Sequence, residues 1–292
     1  MKSGTCDRRP PSHPADWVSG ESGGGPVRAL DLSLFAEGGK GKAMPLNESP
    51  LVLALLARAD DALILGHRTS EWTGHAPVLE EELALANIAL DLIGHARALY
   101  TEAGALTGQT EDELAYLRDA PQWRNALIME LPNGDFAFTM TRLVLVSAFA
   151  RAFWQAATGS SHAGIAAIAA KAVKEVEYHW RHATAWLIRL GDGTPESHRR
   201  AQDAVDALWP YTGELLAAED ADLVAAGVVP DPPALRPAWQ QSVTQALTQA
   251  TLQRPPDGWM QSGGRIGRHT EHLGHLLAEL QFMQRAYPGA TW

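Results

Sequence analysis

Two stretches of this chain place an acid and a histidine four residues apart. Asp91 and His95 form one pair, with Asn87 four residues further back; Glu175 and His179 form the other, with Glu177, Arg181 and His182 close by. A four-residue offset puts both side chains on one face of a helix, so Asn87, Asp91 and His95 share a stripe about 80° wide. Imidazole beside carboxylate either ligates a metal or forms a charge-assisted hydrogen bond that holds a buried polar cluster together. Four-helix bundles that carry two irons take one carboxylate from each of two helices and a Glu-x-x-His pair from each of the other two. Here the residue three before His95 is Leu92, and the residue three before His179 is Val176. The histidines are present, and the acids at the required offset are not.

Long helices are needed to position these groups, and the sequence supplies them. Leu51 to His67 reads as a strongly apolar helix, and the His67-Arg68-Thr69-Ser70-Glu71-Trp72 segment at its end can point a carboxylate into a bundle centre. A corner from Arg68 to Pro77 leads into a second helix from about Val78 to Ala103, opened by Glu80, Glu81 and Glu82, where the helix dipole favours carboxylates. A third runs from the N-cap Asp135 to Ala157 with no acid between Phe136 and Gln155, and a fourth from about His162 to Leu190, stopped by Gly191-Asp192-Gly193. Pro195 opens a fifth toward Ala218, a sixth covers about Pro233 to Thr251, and a last one runs from His269 to Ala286. No segment shows strand alternation and no fixed period repeats, so residues 47–292 read as one all-α domain.

Composition narrows the function. The chain has 292 residues, 46% of them hydrophobic, and a formal charge of −10, which excludes a nucleic-acid binder because phosphate contacts need clustered Lys and Arg. The most apolar run, Leu143 to Ala150, sits between Arg142 and Arg151, so no membrane span is expected. Cys6 is the only cysteine and residues 1–43 lack an apolar leader, which makes the cytoplasm the expected compartment. Residues 1–46 hold eight of the 26 glycines and lack helical periodicity, so they read either as a disordered extension or as sequence upstream of a true start at Met44. Of the ten tryptophans most are expected in the core, and any exposed one would mark a partner surface.

The segments LGHRTSEWTGHAPVLEEELALANIALDLIGHAR from Leu65, LPNGDFAFT from Leu131, KAVKEVEYHWRHATAWLIRLGDG from Lys171 and HTEHLGHLLAELQ from His269 closely resemble the C subunit of bacterial phenylacetyl-CoA 1,2-epoxidase. The match covers nearly everything from Leu51 onward. It implies a ferritin-like four-helix bundle with additional C-terminal helices. It also implies a non-catalytic structural role in a multicomponent monooxygenase of aerobic phenylacetate degradation. The implied partners are a catalytic A subunit that holds the di-iron site, a reductase and a small accessory subunit; a homodimer or a higher hetero-oligomer stays open. Set against the ligand pattern of the catalytic sister, Glu71 falls on the first-helix ligand and His95 and His179 on the two histidines. Leu92 and Val176 fall on the paired acids and Ser147 on the third-helix acid. No iron is therefore expected in this chain. The competing reading is an independent ferritin-like oxygenase with a shifted ligand set of Glu71, Asp91, His95, Glu175 and His179; the bland one is a polar cluster that fixes helix register.

Two lesser signals remain. His269, His272 and His275, with Glu271 among them, resemble a zinc cluster, although packing and capping roles are favoured in the absence of cysteines. Gly263-Gly264-Arg265-Ile266-Gly267-Arg268 carries two cations before a helix, as an anion cradle or a solvated turn facing an acidic partner would.

Overall fold

The computed structural model describes residues 49–290. Ten α-helices and no strand occur among these residues. The expectation of disorder for residues 1–46, and the question of Met44, lie outside them. The four long helices are α1 (Pro50–Ser70), α2 (Leu79–Thr107), α5 (Phe136–Ala157) and α6 (Ala163–Gly191). Between and after them come α3 (Glu111–Tyr116), α4 (Leu127–Glu130), α7 (Pro195–Leu208), α8 (Ala221–Ala225), α9 (Arg236–Gln249) and α10 (Glu271–Ala286).

The bundle is two hairpins laid face to face. α1 packs along α2 and α5 along α6, and the close contact between the two pairs is α2 against α6. α1 is apolar nearly all round and buried along most of its length, as a central helix must be. α5 is the one helix among the described residues long and apolar enough to cross a membrane; 72% of its apolar window is buried inside the bundle, so core packing accounts for its composition.

Local chemistry sets the ends. Asp135 caps α5 by accepting from the Phe138 N–H at 2.9 Å. α2 stops at Gly108, whose φ of 73° lies in the left-handed region that favours glycine. At the end of α6, a Cβ on Gly191 would meet the Ala250 carbonyl oxygen at 2.1 Å, so only glycine lets the end of α9 approach. α7 ends at Leu208 rather than near Ala218, because Pro210 has no N–H to continue the ladder; the chain passes instead into 3₁₀ turns at Trp209–Tyr211 and Gly213–Leu216. Of the described tryptophans, only Trp259 is exposed, at 76%.

Of the two lesser signals, Arg265 and His269 are taken up by the protein's own packing, whereas Arg268 and His275 are exposed. Arg265 of the glycine-rich turn is neither an anion cradle nor solvated: it forms a two-point ion pair with Asp61 at 2.9 and 2.7 Å and donates to the Ala57 and Arg124 carbonyls. The glycines are there because Cβ atoms at Gly264 and Gly267 would strike the Asn125 and Pro121 carbonyls, each at 2.1 Å. His269 precedes α10 instead of lying on it, with ring nitrogens 2.8 Å from Glu130 Oε2 and 3.1 Å from the Trp123 carbonyl, while His275 is exposed. The three histidines therefore face different surroundings.

A second charged knot anchors α1 to the following loop. Arg118 and Asp60 are fully buried; Arg118 donates to both Asp60 oxygens, at 3.0 and 2.5 Å, and Tyr100 Oη donates to Asp60 at 2.5 Å. Arg118→Met is expected to destabilise the fold by about 3–5 kcal/mol, because it leaves a buried carboxylate without its cation. Urea denaturation followed by circular dichroism checks the figure.

Candidate functional site

A cavity of about 60 Å³ lies at the centre of the bundle. α1 contributes Arg58, Asp61, Ala62 and Leu65 to its wall, α2 contributes Leu92 and His95, α5 contributes Ser147 among its aromatic neighbours, and α6 contributes Val176 and His179. Five of the six positions matched to ligands in the sequence thus surround one space.

Glu71 does not join them. α1 ends at Ser70, which leaves Glu71 at the cap, where it accepts from Arg68 Nη1 at 2.7 Å and Asn133 Nδ2 at 2.9 Å with its side chain 43% exposed. α1 instead turns Arg58 and Asp61 toward the cavity. Sequence reasoning missed these two residues, although charges in the middle of an apolar helix were the available signal.

The polar stripe on α2 is twisted across the surface. Each four-residue step advances about 40° around a helix, so Asn87 faces solvent, Asp91 sits at the rim and His95 points inward, 3% exposed. Asn87 is therefore not part of the buried cluster. His95 Nε2 donates to Glu175 Oε2 at 2.7 Å, and His179 Nε2 donates to Asp91 Oδ2 at 3.0 Å. A third pair continues the series, with His182 Nε2 3.0 Å from Glu81 Oε2. Each pair joins α2 to α6, and two carry the histidine on α6 while one carries it on α2. In His95 and His179 the hydrogen bond to a carboxylate fixes the proton on Nε2 and in the neutral ring leaves Nδ1 as the acceptor, whereas His182 and Glu81 approach without hydrogen-bond geometry.

Burial lowers the His95 pKa, with Glu175 opposing it, and burial lowers that of His182 against the pull of Glu81. The Asp91 carboxyl is held below its ordinary range, chiefly by the hydrogen bond from His179. Ser147 Oγ is spent on its own helix, donating to the Leu143 carbonyl at 2.5 Å.

The chemistry of this donor set does not fit a pair of irons. Leu92 and Val176 carry no donor atom, and both imidazoles already hold carboxylates through Nε2. The shifted set is not assembled either: Glu71 is elsewhere, and among the described residues no three His, Cys, Asp or Glu side chains converge as metal ligands would.

A helical bundle with paired long helices and two inward histidines defines the ferritin-like class. Within that class, residues 39–292 match the model of the phenylacetic acid catabolic protein family, and the chain belongs to that family. It is similar to the C subunit of the 1,2-phenylacetyl-CoA epoxidase of Escherichia coli (strain K12), with 44% identity over 240 residues that cover 81% of this chain and 97% of the relative.

The lowered His95 pKa has a sign. The unfolded chain takes up this proton more readily, so the contribution is fully present above the ordinary imidazole value near 6.5 and is lost as pH falls through the depressed folded value. The urea midpoint of the wild type is expected to fall from pH 7 to pH 5 more steeply than that of His95→Gln. Parallel slopes would contradict this.

Proposed function

We propose that this chain is a non-catalytic structural subunit of a phenylacetyl-CoA epoxidase, pairing with a di-iron catalytic A subunit in an assembly completed by a reductase and a small accessory subunit. The observation that carries the reading is the cavity wall itself: Leu92, Ser147 and Val176 stand where acids would be needed, beside two histidines tied to carboxylates across the α2–α6 seam. The kinship with the C subunit of the Escherichia coli epoxidase supports it. On this reading the chain holds no iron, and substrate oxidation takes place in the partner.

The surface offers a place for such a partner. Leu79, Leu83 and Leu90 are 66%, 57% and 65% exposed and lie within about 40° of one another around α2, with Val78 beside them. An interface between two bundles of this kind would bury on the order of 2,000 Å² or more.

The test is co-expression with the neighbouring oxygenase subunits followed by metal analysis per chain. Co-purification with iron confined to the partner is expected; stoichiometric iron with O2-dependent turnover by the isolated chain would overturn the reading. Chelator treatment is expected to leave the Tm of the isolated chain unchanged in scanning calorimetry. Leu83→Asp combined with Leu90→Asp is expected to abolish co-purification while shifting stability by less than about 1 kcal/mol, since both side chains are exposed.

A further inference from the structure

Hydrocarbon makes most of the wall of the central cavity. Leu65 comes from α1, Leu92 from α2, Val146, Phe149 and Phe153 from α5, and Val176 from α6. All six are buried. The polar residues around the same space are engaged elsewhere. Asp61 accepts from Arg265 Nη1 and Nη2 at 2.9 and 2.7 Å and from the Ala126 N–H at 2.8 Å. Arg58 Nε and Nη1 have no accessible surface and so do not face the cavity, and its Nη2 is turned to Glu219 Oε1 at 3.5 Å. Ser147 Oγ donates to the Leu143 carbonyl. His95 and His179 hold their carboxylates through Nε2, so each neutral ring retains one acceptor, Nδ1.

An ordered water inside a protein needs two to four polar partners. Here it can donate to the two imidazoles, but it finds no uncommitted N–H or O–H from which to accept. A wall of this kind favours a guest that needs no hydrogen bond and gains dispersion contacts on all sides. Size narrows the guest further. The cavity of about 60 Å³ is well below the ~150 Å³ that takes up benzene, which leaves molecules of a few atoms. A charged guest is disfavoured as well, because the Asp61 carboxylate lines the space and no free donor offsets it.

We propose that the central cavity is a binding site for dioxygen, held by dispersion contacts with side chains such as Leu92, Phe149 and Val176. Dioxygen is the abundant apolar solute of this size in an aerobic cell. Binding is weak and reversible, and no bond forms or breaks. The site is built by this chain alone, so the proposal does not rest on the pairing put forward above.

Crystals of the full chain pressurised with xenon, an apolar probe of similar size, are expected to show an anomalous peak between Leu92, Phe149 and Val176. In solution, methyl relaxation is compared by NMR under nitrogen and under dioxygen, whose paramagnetism speeds relaxation at close range. The enhancement at the Leu92, Val146 and Val176 methyls is expected to exceed several-fold that at Val243 and Leu273, which are buried at least as deeply but do not line the cavity. Ala62→Leu fills the space and is expected to abolish both the peak and the excess relaxation. The wild-type measurements decide the matter by themselves if that variant does not fold. Ordered water in place of xenon, enhancement at the cavity methyls no larger than at the controls, or an unchanged excess in folded Ala62→Leu would overturn the proposal.

Discussion

The α2–α6 seam, laced by His95 with Glu175, His179 with Asp91 and His182 with Glu81, is the constraint on which the bundle's geometry depends. The two helix hairpins approach each other most closely here. Small residues make the approach feasible: Ala96 and Ala103 on α2, and Ala169, Ala172 and Ala183 on α6, are buried. Gly164 continues the pattern, because a Cβ there would meet a Glu102 carboxylate oxygen at 2.1 Å, and that carboxylate reaches the first turn of α6, where the dipole favours it. With one side of the bundle drawn together by directional bonds, the middle is left to side chains of unequal size, and a cavity remains. Polar pairs of this kind fix register more firmly than an apolar seam would, since a slip of one turn would separate every imidazole from its acid.

Much of this was legible in the sequence, for identifiable reasons. The four long helices announce themselves by length, apolar faces and caps such as Asp135, and their ends fall within a few residues of expectation. The pairing of the histidines with acids follows from residue type. What could not be read was which acid meets which imidazole, because four-residue spacing draws the eye to Asp91 with His95 on one helix, whereas the bonds run between helices. Asn87 illustrates the same limit: a 40° drift per step carries the stripe from solvent to interior, and sequence spacing does not say where the interior begins. Glu71 departs from expectation because α1 stops one residue short of it, and Asn133 and Arg68 claim the carboxylate at the helix end. The short helices carry weaker signals, although Thr110 and Glu113 of α3 satisfy the capping box and supply a usable one. The Gly263 to Arg268 segment was the largest surprise, since nothing local tells a solvated glycine turn from one pressed against carbonyls by tertiary packing.

The core also shows how a bundle accommodates charges once it has them. Arg58, Asp60 and Asp61 fall within four residues of a helix that is otherwise buried hydrocarbon, and each is met from a different part of the chain: Glu219, Arg118 and Arg265. Pairing of this kind stabilises little relative to an apolar core, yet it penalises any arrangement in which the partners are apart. The C-terminal third is thus tied to the first helix by specific contacts as well as by apolar burial.

The Asp61–Arg265 bond has a consequence for the birth of the molecule. It closes a loop of 204 residues, so Arg265 must leave the ribosome before the first helix receives this counter-ion. Until then Asp61 has only the Ala126 N–H and the more distant Arg58 guanidinium to meet its charge. The helices that precede Arg265 therefore emerge before the contact that ties the C-terminal region to them can form, and this closure comes late in folding.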